Sequence, residues 1–260
     1  MPELPVHEAA KAIDSFQLAF LEVAAARLPI AAFVLKGGAN MRFFFRSNRR
    51  SRDIDFDYRG QRFDTFAERV DDVFASRALA ELLRERGLKV ADPRRSKQTD
   101  TTRRWKLAVR AAAGEAATKV EFSARGSASD DYALMQLDPE IARRLGGRAP
   151  RVNRYGPVAM VEQKVGALDK RSETQARDVF DLDVLFRLHP AALAEARLET
   201  TTVRAASARA SALSYDEYVS TVVNYLEENL VAVLGSEDAW NEMVLRVSSD
   251  LDARVAALER

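Results

Sequence analysis

The chain of 260 residues contains no cysteine, which excludes disulfides, cysteine nucleophiles and thiolate metal sites. Its two histidines, His7 and His189, are far apart in the sequence, so neither a histidine cluster nor a Ser-His-Asp triad is predicted. No apolar run approaches the roughly 20 residues that span a bilayer. The N-terminus lacks the basic and apolar regions of a secretory signal. These absences predict a cytoplasmic protein without a membrane partner.

Net charge is also small, because 40 lysines and arginines face 39 aspartates and glutamates. The basic residues are nevertheless clustered, and such clusters can hold the phosphates of a nucleotide or of an RNA backbone. A solvated basic face is an equally good interpretation of each cluster on its own. The clusters are Arg42, Arg46, Arg49, Arg50 and Arg52; Arg94, Arg95, Lys97, Arg103, Arg104, Lys106 and Arg110; and Arg143, Arg144, Arg148, Arg151 and Arg154.

Hydrophobic periodicity divides the chain into a region of mixed helices and strands and a helical region. The pattern predicts helices at 8–28, 41–45 and 63–86, strands at 31–35, 53–58, 88–90, 104–112 and 118–124, and a polar loop at 91–102. A hinge rich in Gly, Ser and Asp is predicted at 125–131. Beyond it only a short strand at 151–155 is indicated, and residues 157–260 are predicted to be helical.

The most informative stretch, residues 34–57, ends in the acidic segment D-I-D-F-D. Because side chains alternate along a strand, Asp53, Asp55 and Asp57 are predicted to project to one face and the residues between them into the core. Such carboxylates repel each other unless a cation lies between them, and two Mg²⁺ ions, or Mn²⁺, would supply that charge. Asp53 and Asp55 are the predicted metal ligands. A polar outer face on an ordinary strand is the commoner use of an isolated D-x-D.

A glycine pair, Gly37-Gly38, lies between the strand at 31–35 and the short helix. Glycine permits a positive φ and a close approach to the backbone, and the helix that follows offers free N–H groups to a phosphate. A tight turn would also explain the pair alone. The order strand, Gly-Gly, helix and D-x-D strand is much less expected by chance. It predicts a metal-dependent nucleotidyltransferase site, with Lys36 and Arg52 as further nucleotide-binding residues.

Nucleotidyltransferases of the polymerase-β type usually add a third carboxylate from a neighbouring strand, and Glu121 fits this position as a further metal ligand. Val120 and Phe122 face the core, so Glu121 faces the other way. A surface glutamate is an equally good interpretation. The predicted fold is α+β and bilobed: a polymerase-β-type lobe at 1–140, with a mixed sheet flanked by helices, and a helical C-terminal lobe at 141–260 that completes the active site.

A second informative stretch spans residues 162–183. Apolar spacing along the first helix of this stretch leaves Lys164 to point away from the core. Arg177-Asp178 then opens another helix, on which Asp178 and Asp181 share a face and Arg177 lies at pairing distance from Asp181. A solvated helix face with internal ion pairs is the commoner use of such a pattern.

The two stretches together resemble the AbiEii/AbiGii nucleotidyltransferase toxins of the AbiE and MenT-like toxin–antitoxin systems. L-K-G-G-x-x-x-R, a short R-x-S turn and D-I-D-F-D are similar to the first motif of that family, and K-V-x-A-L-x-x-R followed by R-D-V-F-D-L to its second. The resemblance covers roughly residues 30–190. The chain departs from the family at Ala39-Asn40, where Thr-Ala is usual.

The resemblance implies roles for individual residues. Asp53 and Asp55 would bind the catalytic metals, and Lys164, with Arg177, would contact the triphosphate as pyrophosphate leaves. Asp178 would be a further essential acid that orients Lys164 or acts as a base. Ser51 matches a position that the antitoxin phosphorylates in some relatives, where a phosphate should weaken metal and nucleotide binding.

The resulting hypothesis is a toxin that transfers a nucleoside monophosphate from an NTP, with pyrimidines favoured, to the 3′ end of tRNA and so blocks translation. A cognate antitoxin is the expected protein partner, and no DNA is expected. Two alternatives remain open at this point. One is transfer of the nucleotide onto a protein hydroxyl, and the other is a catalytically inactive nucleotide-binding module.

Overall fold

The computed structural model of the protein describes residues 1–125 and 129–260, which form two compact units. The sheet unit comprises residues 1–46, 50–125 and 132–155, and the helical unit comprises Ser47–Arg49, Ser129–Asp131 and Gly156–Arg260. The predicted lobe boundary after residue 140 differs from this division, because the strand at 151–155 belongs to the sheet. Residues 126–128 of the predicted hinge lie outside the described residues.

The described part of the sheet unit has seven strands and five α-helices. The strands are β1 (Phe33–Lys36), β2 (Ile54–Tyr58), β3 (Lys89–Thr99), β4 (Thr102–Ala111), β5 (Gly114–Ser123), β6 (Tyr132–Gln136) and β7 (Arg151–Tyr155). The helices are α1 (Val6–Arg27), α2 (Gly37–Phe44), α3 (Phe63–Phe74), α4 (Arg77–Glu85) and α5 (Pro139–Arg144). The strands form one mixed sheet in the order β3-β4-β5-β2-β1-β7-β6, and the predicted α+β class is confirmed.

The acidic strand β2 lies in the middle of this sheet, antiparallel to β1 and parallel to β5. The register places Asp55 beside Lys36 on one side and beside Glu121 on the other. Ile54 and Phe56, which alternate with the acids, are completely buried. The strand therefore carries its acids on one face because its other face is fixed in the core.

Aromatic side chains from both sides of β2 form the centre of that core. Phe56 stacks on Phe122 of β5 with ring centroids 4.7 Å apart, and Phe33 of β1 meets Phe56 edge to face at 5.5 Å. Phe20 of α1 covers Phe56 at 6.2 Å. Complete burial of each large apolar side chain stabilises the fold by about 1.5–3 kcal/mol. The strands that carry the acids are thus among the best anchored elements of the sheet unit.

Several elements differ from the sequence prediction. The single helix predicted at 63–86 is wrong: α3 ends at Phe74, and Ser76 starts α4 by accepting the Leu79 N–H at 3.2 Å. A serine with a strong capping preference breaks a pattern that is apolar on both sides of it. The strand pair at 104–112 and 118–124 is confirmed, although it extends to Thr102 and Gly114.

The polar loop predicted at 91–102 is also wrong, since β3 runs through most of it and pairs with β4. β3 is at an edge of the sheet and its side chains are mostly exposed, so it carries polar residues where a central strand would carry apolar ones. The other edge, β6, was not predicted, and all of its residues are exposed. β7 coincides with the predicted strand at 151–155.

The helical unit confirms the prediction for residues 157–260. Its helices are α6 (Pro157–Lys170), α7 (Ala176–Leu188), α8 (Ala192–Glu195), α9 (Thr200–Ser211), α10 (Tyr215–Thr221), α11 (Glu228–Leu234) and α12 (Glu237–Leu258). α9 packs against α6 and α12, and Trp240 of α12 stacks on Tyr218 of α10 at 4.6 Å. In the part of the chain that the structure describes, no helix has the length and apolar character that a membrane span needs.

Candidate active site

The predicted glycine turn joins β1 directly to α2. Gly37 has a φ of +67°, a conformation in which residues with a Cβ are strained. A Cβ placed on Gly37 would lie 3.5 Å from the Oδ2 atom of Asp55. The glycine turn at the start of α2 therefore lies close to the central acid of β2. Asn40, at the departure from the family pattern, is buried and donates its side-chain amide to the Tyr155 carbonyl at 3.0 Å.

A lysine stands among the acids of the two neighbouring strands. The Nζ atom of Lys119 on β5 is 3.4 Å from an oxygen of Asp53 and 3.9 Å from oxygens of both Asp55 and Glu121. We call these four residues the acidic cluster. Lys119 is not among the predicted site residues, although alternation places it on the same strand face as Glu121, two residues further on.

The charges of the acidic cluster act on Asp55 in opposite directions. Burial is the largest influence and raises the pKa of the Asp55 carboxyl. The ammonium groups of Lys119 and Lys36 lower that pKa, whereas the charges of Asp53 and Glu121 raise it. The net shift is upward, because burial outweighs the attraction of the two ammonium groups.

Glu121 has a second cationic neighbour. The guanidinium of Arg104, directly opposite on β4, donates to Glu121 at 2.5 Å. This contact draws one carboxylate of the acidic cluster towards an arginine of the second basic cluster. Within residues 1–125 and 129–260, no three acidic or histidine side chains are grouped closely enough to hold a metal ion. The acidic cluster instead surrounds an amine.

Asp57, the third acid of the strand, has a different environment from Asp53 and Asp55. It is 3% exposed and accepts a hydrogen bond of 2.7 Å from the Tyr155 hydroxyl. Its other carboxylate oxygen accepts from Lys36, whose side chain is 26% exposed. Asp57 therefore ties β2 to β1 and β7, and the predicted nucleotide-binding lysine is held by an internal ion pair.

The turn before β2 places Ser51 and Arg52 beside the acids. The Ser51 hydroxyl is buried and donates to the backbone carbonyl of Asp53 at 2.7 Å. Gln17 of α1 donates to the Ser51 carbonyl at 3.0 Å, and Thr118 of β5 donates to the Arg52 carbonyl at 2.7 Å. The backbone of this turn is thus fixed, whereas the Arg52 side chain is exposed.

Most arginines of the first basic cluster have structural roles. Arg42 and Arg50 form ion pairs with the buried Asp14 of α1 at 3.1 and 3.4 Å. Arg49 is 3% exposed and pairs with Asp181 in the helical unit at 3.1 Å. These three side chains are buried in ion pairs within the chain, which favours a structural role over contact with phosphates in solution.

The helical unit contains a second group of charges, which we call the buried charge network. Lys164 of α6 is 6% exposed and lies 2.9 Å from an oxygen of Asp178 and 2.5 Å from one of Asp181, both on α7. Arg171 also pairs with Asp178, and Arg49 donates to both oxygens of Asp181 at 3.2 and 3.1 Å. The predicted neighbourhood of Lys164 and Asp178 is thus present in the structure.

Arg177 adds a further positive charge to this network. Its pKa is lowered, chiefly by desolvation, and Arg49 and Arg171 lower it too. The predicted ion pair of Arg177 with Asp181 is not among the salt bridges of the described residues, because Asp181 is already taken by Arg49 and Lys164. Against two carboxylates the network holds four cations, namely Arg49, Lys164, Arg171 and Arg177.

Comparison with known proteins agrees with this chemistry. Residues 20–260 match the family described as the nucleotidyl transferase AbiEii toxin of type IV toxin–antitoxin systems. An H. pylori protein that has been assigned as a nucleotidyltransferase aligns with a TM-score of 0.59 and 20% identity, over 95% of this chain and 96% of that chain. JHP933 from Helicobacter pylori aligns with a TM-score of 0.57 and 19% identity, over 95% and 93%. At these identities the two structures show a shared fold. No curated protein matches the chain.

Proposed function

The chain belongs to the AbiEii nucleotidyl transferase toxin family of type IV toxin–antitoxin systems, and on this basis we propose that it transfers a nucleoside monophosphate from an NTP to the 3′ end of tRNA. The family itself implies a nucleotide substrate and an antitoxin partner. The finer parts of the proposal are the tRNA acceptor, a preference for pyrimidine NTPs, dependence on a divalent metal and the roles of individual residues.

The observation that carries the proposal is the proximity of the Gly37 turn to Asp55. The Cβ position of Gly37 is 3.5 Å from Asp55 Oδ2, so a turn suited to phosphate and a carboxylate suited to metal meet at one place in the sheet unit. Phosphoryl transfer needs both, because catalysis consists mainly of positioning the phosphates and neutralising their charge. An ordinary tight turn would not require a carboxylate at this distance.

The acidic cluster offers the ligand type of a hard divalent cation, although its carboxylates would have to move closer together to bind one. Asp53, Asp55 and Glu121 offer carboxylate oxygens, the ligands that Mg²⁺ and Mn²⁺ prefer. The Lys119 ammonium already places positive charge within 3.9 Å of each of them. Asp53 and Asp55 would hold the metal, with Glu121 as a third ligand once it leaves Arg104. Bound metal would neutralise the carboxylates and polarise the phosphate.

Residues of the chain would then position the substrates. Backbone N–H groups at Gly37 and Gly38 would bind phosphate oxygens, and the exposed Arg52 side chain would add a charge-assisted contact. In the helical unit, Lys164 and Arg177 are the proposed phosphate-binding residues. The hydrogen bond of 2.9 Å from Lys164 to Asp178 supports an orienting role for that aspartate.

Exposed arginines of the third basic cluster are the proposed contacts for the tRNA backbone. Arg143, Arg144, Arg148 and Arg151 are all exposed, whereas much of the first cluster is buried in ion pairs. Neutralising phosphates with these side chains would make RNA binding weaken steeply with salt. Addition of a nucleotide to the acceptor end would block aminoacylation and hence translation.

The decisive experiment incubates purified protein with Mg²⁺, each labelled NTP in turn and total tRNA. We expect label at tRNA 3′ ends, most with a pyrimidine NTP, and none with EDTA or with Asp53→Ala. Asp100→Asn, which alters an exposed aspartate in the β3–β4 turn, is the matched control and should behave as wild type.

Label that migrates with protein would favour transfer onto a protein hydroxyl. Tight NTP binding without any turnover would favour an inactive nucleotide-binding module.

A further inference from the structure

Lys119 occupies the position in the acidic cluster where a cation is needed. Its amine is 3.4 Å from Asp53, 3.9 Å from Asp55 and 3.9 Å from Glu121. These distances are longer than the 2.7–2.9 Å of a close charge-assisted hydrogen bond. The amine is therefore shared among three acids that it attracts and is not fixed to one of them.

The remaining contacts of the cluster explain why this amine can leave. The Lys119 side chain is 28% exposed, and a lysine stem has rotamers that carry its amine into solvent. Arg104 differs, because its planar guanidinium holds Glu121 at 2.5 Å. Arg104 is thus firmly paired with Glu121, whereas Lys119 is loosely held at the centre of the acidic cluster.

We propose that Lys119 acts as a stand-in cation: it holds the three carboxylates together in the metal-free protein and is displaced by the divalent metal that binds there. The inference rests on the proposed function, since it assumes a metal at Asp53 and Asp55. Lys119 would then be a positioning residue, which reduces the repulsion among the three acids and so stabilises the fold. Because its amine competes with the metal, it would also lower metal affinity. Metal occupancy would then depend on how strongly the metal competes with the amine for the three carboxylates.

The test is direct measurement of Mn²⁺ affinity in the full-length, nucleotide-free protein, by the loss of the free-ion electron paramagnetic resonance signal. We expect Lys119→Met to bind Mn²⁺ about tenfold more tightly than wild type, since it removes a cation that competes through three half-buried contacts. Lys119→Arg should stay close to wild type, because it keeps the charge. Lys106→Met is the matched control, since Lys106 is the exposed lysine directly opposite on β4.

Thermal unfolding gives a second readout. Without metal, Lys119→Met should unfold at a lower temperature than wild type because the acids repel each other, and Mn²⁺ should raise its Tm more than that of wild type. If Lys119→Met does not fold, Lys119→Gln offers a neutral polar side chain for the same comparison.

Equal Mn²⁺ affinity in wild type and the neutral variants, or weaker affinity in the variants, would overturn the inference while leaving the metal site intact. Absence of Mn²⁺ binding in all of them would overturn both the inference and the metal assignment.

Discussion

Asp55 and Glu121 are direct neighbours on parallel strands β2 and β5, so the central acid and its proposed partner are held in register by the backbone of the sheet. The Lys119 amine lies 3.9 Å from both. Parallel pairing brings together residues that are far apart in the chain, and the buried Phe56 and Phe122 beside them prevent a slip in register. Metal binding is thus expected to change side-chain positions more than strand positions.

Gly37→Ala tests whether the glycine turn serves the nucleotide. The positive φ alone should destabilise the protein by about 1 kcal/mol, and the methyl group would meet Asp55 Oδ2 at 3.5 Å. Because the turn lies at the proposed phosphate site, we also expect the KM for NTP to rise by about tenfold or more.

The control for this variant is Gly87→Ala, which combines a φ of +69° with open space around the added Cβ. It should lose similar stability, measured by denaturant unfolding, and retain the wild-type KM. A rise in KM in both variants would attribute the effect to general loss of stability and would contradict a phosphate-binding role of Gly37.

Lys164→Met is expected to reduce turnover by about a hundredfold to a thousandfold, the effect of removing a group that stabilises developing negative charge. Steady-state kinetics on tRNA and NTP would measure it, and kcat should fall more than KM rises. Lys170→Met is the matched control, because Lys170 ends the same helix with an exposed side chain. Unchanged kcat in Lys164→Met would remove Lys164 from the reaction.

The sequence was sufficient for features that depend on local pattern. Alternation along β2 and β5 predicted that Glu121 would face the same side as Asp55, and the Gly37 turn followed from residues next to it in the chain. The arginine roles could not be predicted, since Arg49 pairs with Asp181 across 132 positions. Such pairing depends on tertiary folding, and a buried arginine has the same local pattern as a phosphate-binding one.

Lys119 was missed for a related reason. A lysine on the outer face of a strand usually lies in solvent, and only the register of β2 against β5 shows that three carboxylates surround it. The break between α3 and α4 at Ser76 was missed because apolar spacing continued on both sides of the cap. Lys119 thus required knowledge of strand pairing, whereas at Ser76 a local capping signal was outweighed by apolar periodicity.

Ser51→Glu tests the proposed phosphorylation site. The Ser51 hydroxyl donates to the backbone carbonyl of Asp53 at 2.7 Å, so an added negative charge would lie near the carboxylates proposed to bind metal. We expect Mn²⁺ affinity to fall by about tenfold or more, through like-charge repulsion and loss of the turn's hydrogen bond. Ser249→Glu, on an exposed position of α12, should leave Mn²⁺ affinity unchanged. Equal affinities in wild type and Ser51→Glu would argue against control of metal binding from Ser51.

Asp181→Asn tests the buried charge network through the pH dependence of stability. Desolvation raises the pKa of Asp181, but Arg49 and Lys164 outweigh it, and the net shift is downward. The pKa of Asp181 is therefore lower in the folded protein than in the unfolded chain, where it is about 4. The charged carboxylate stabilises the fold at pH values above about 4, and this stabilisation is lost as the pH falls through the folded-state pKa. At pH 7 we expect the variant to lose about 3–5 kcal/mol of unfolding free energy, because two buried cations lose a partner. Urea titrations from pH 7 down to pH 3 should show the difference in unfolding free energy between wild type and variant narrowing below about pH 4.

The control is Asp238→Asn, in the exposed first turn of α12, which should lose only a few tenths of a kcal/mol of unfolding free energy. A difference in stability between Asp181→Asn and wild type that does not vary with pH would show that Asp181 acts through packing and not through charge.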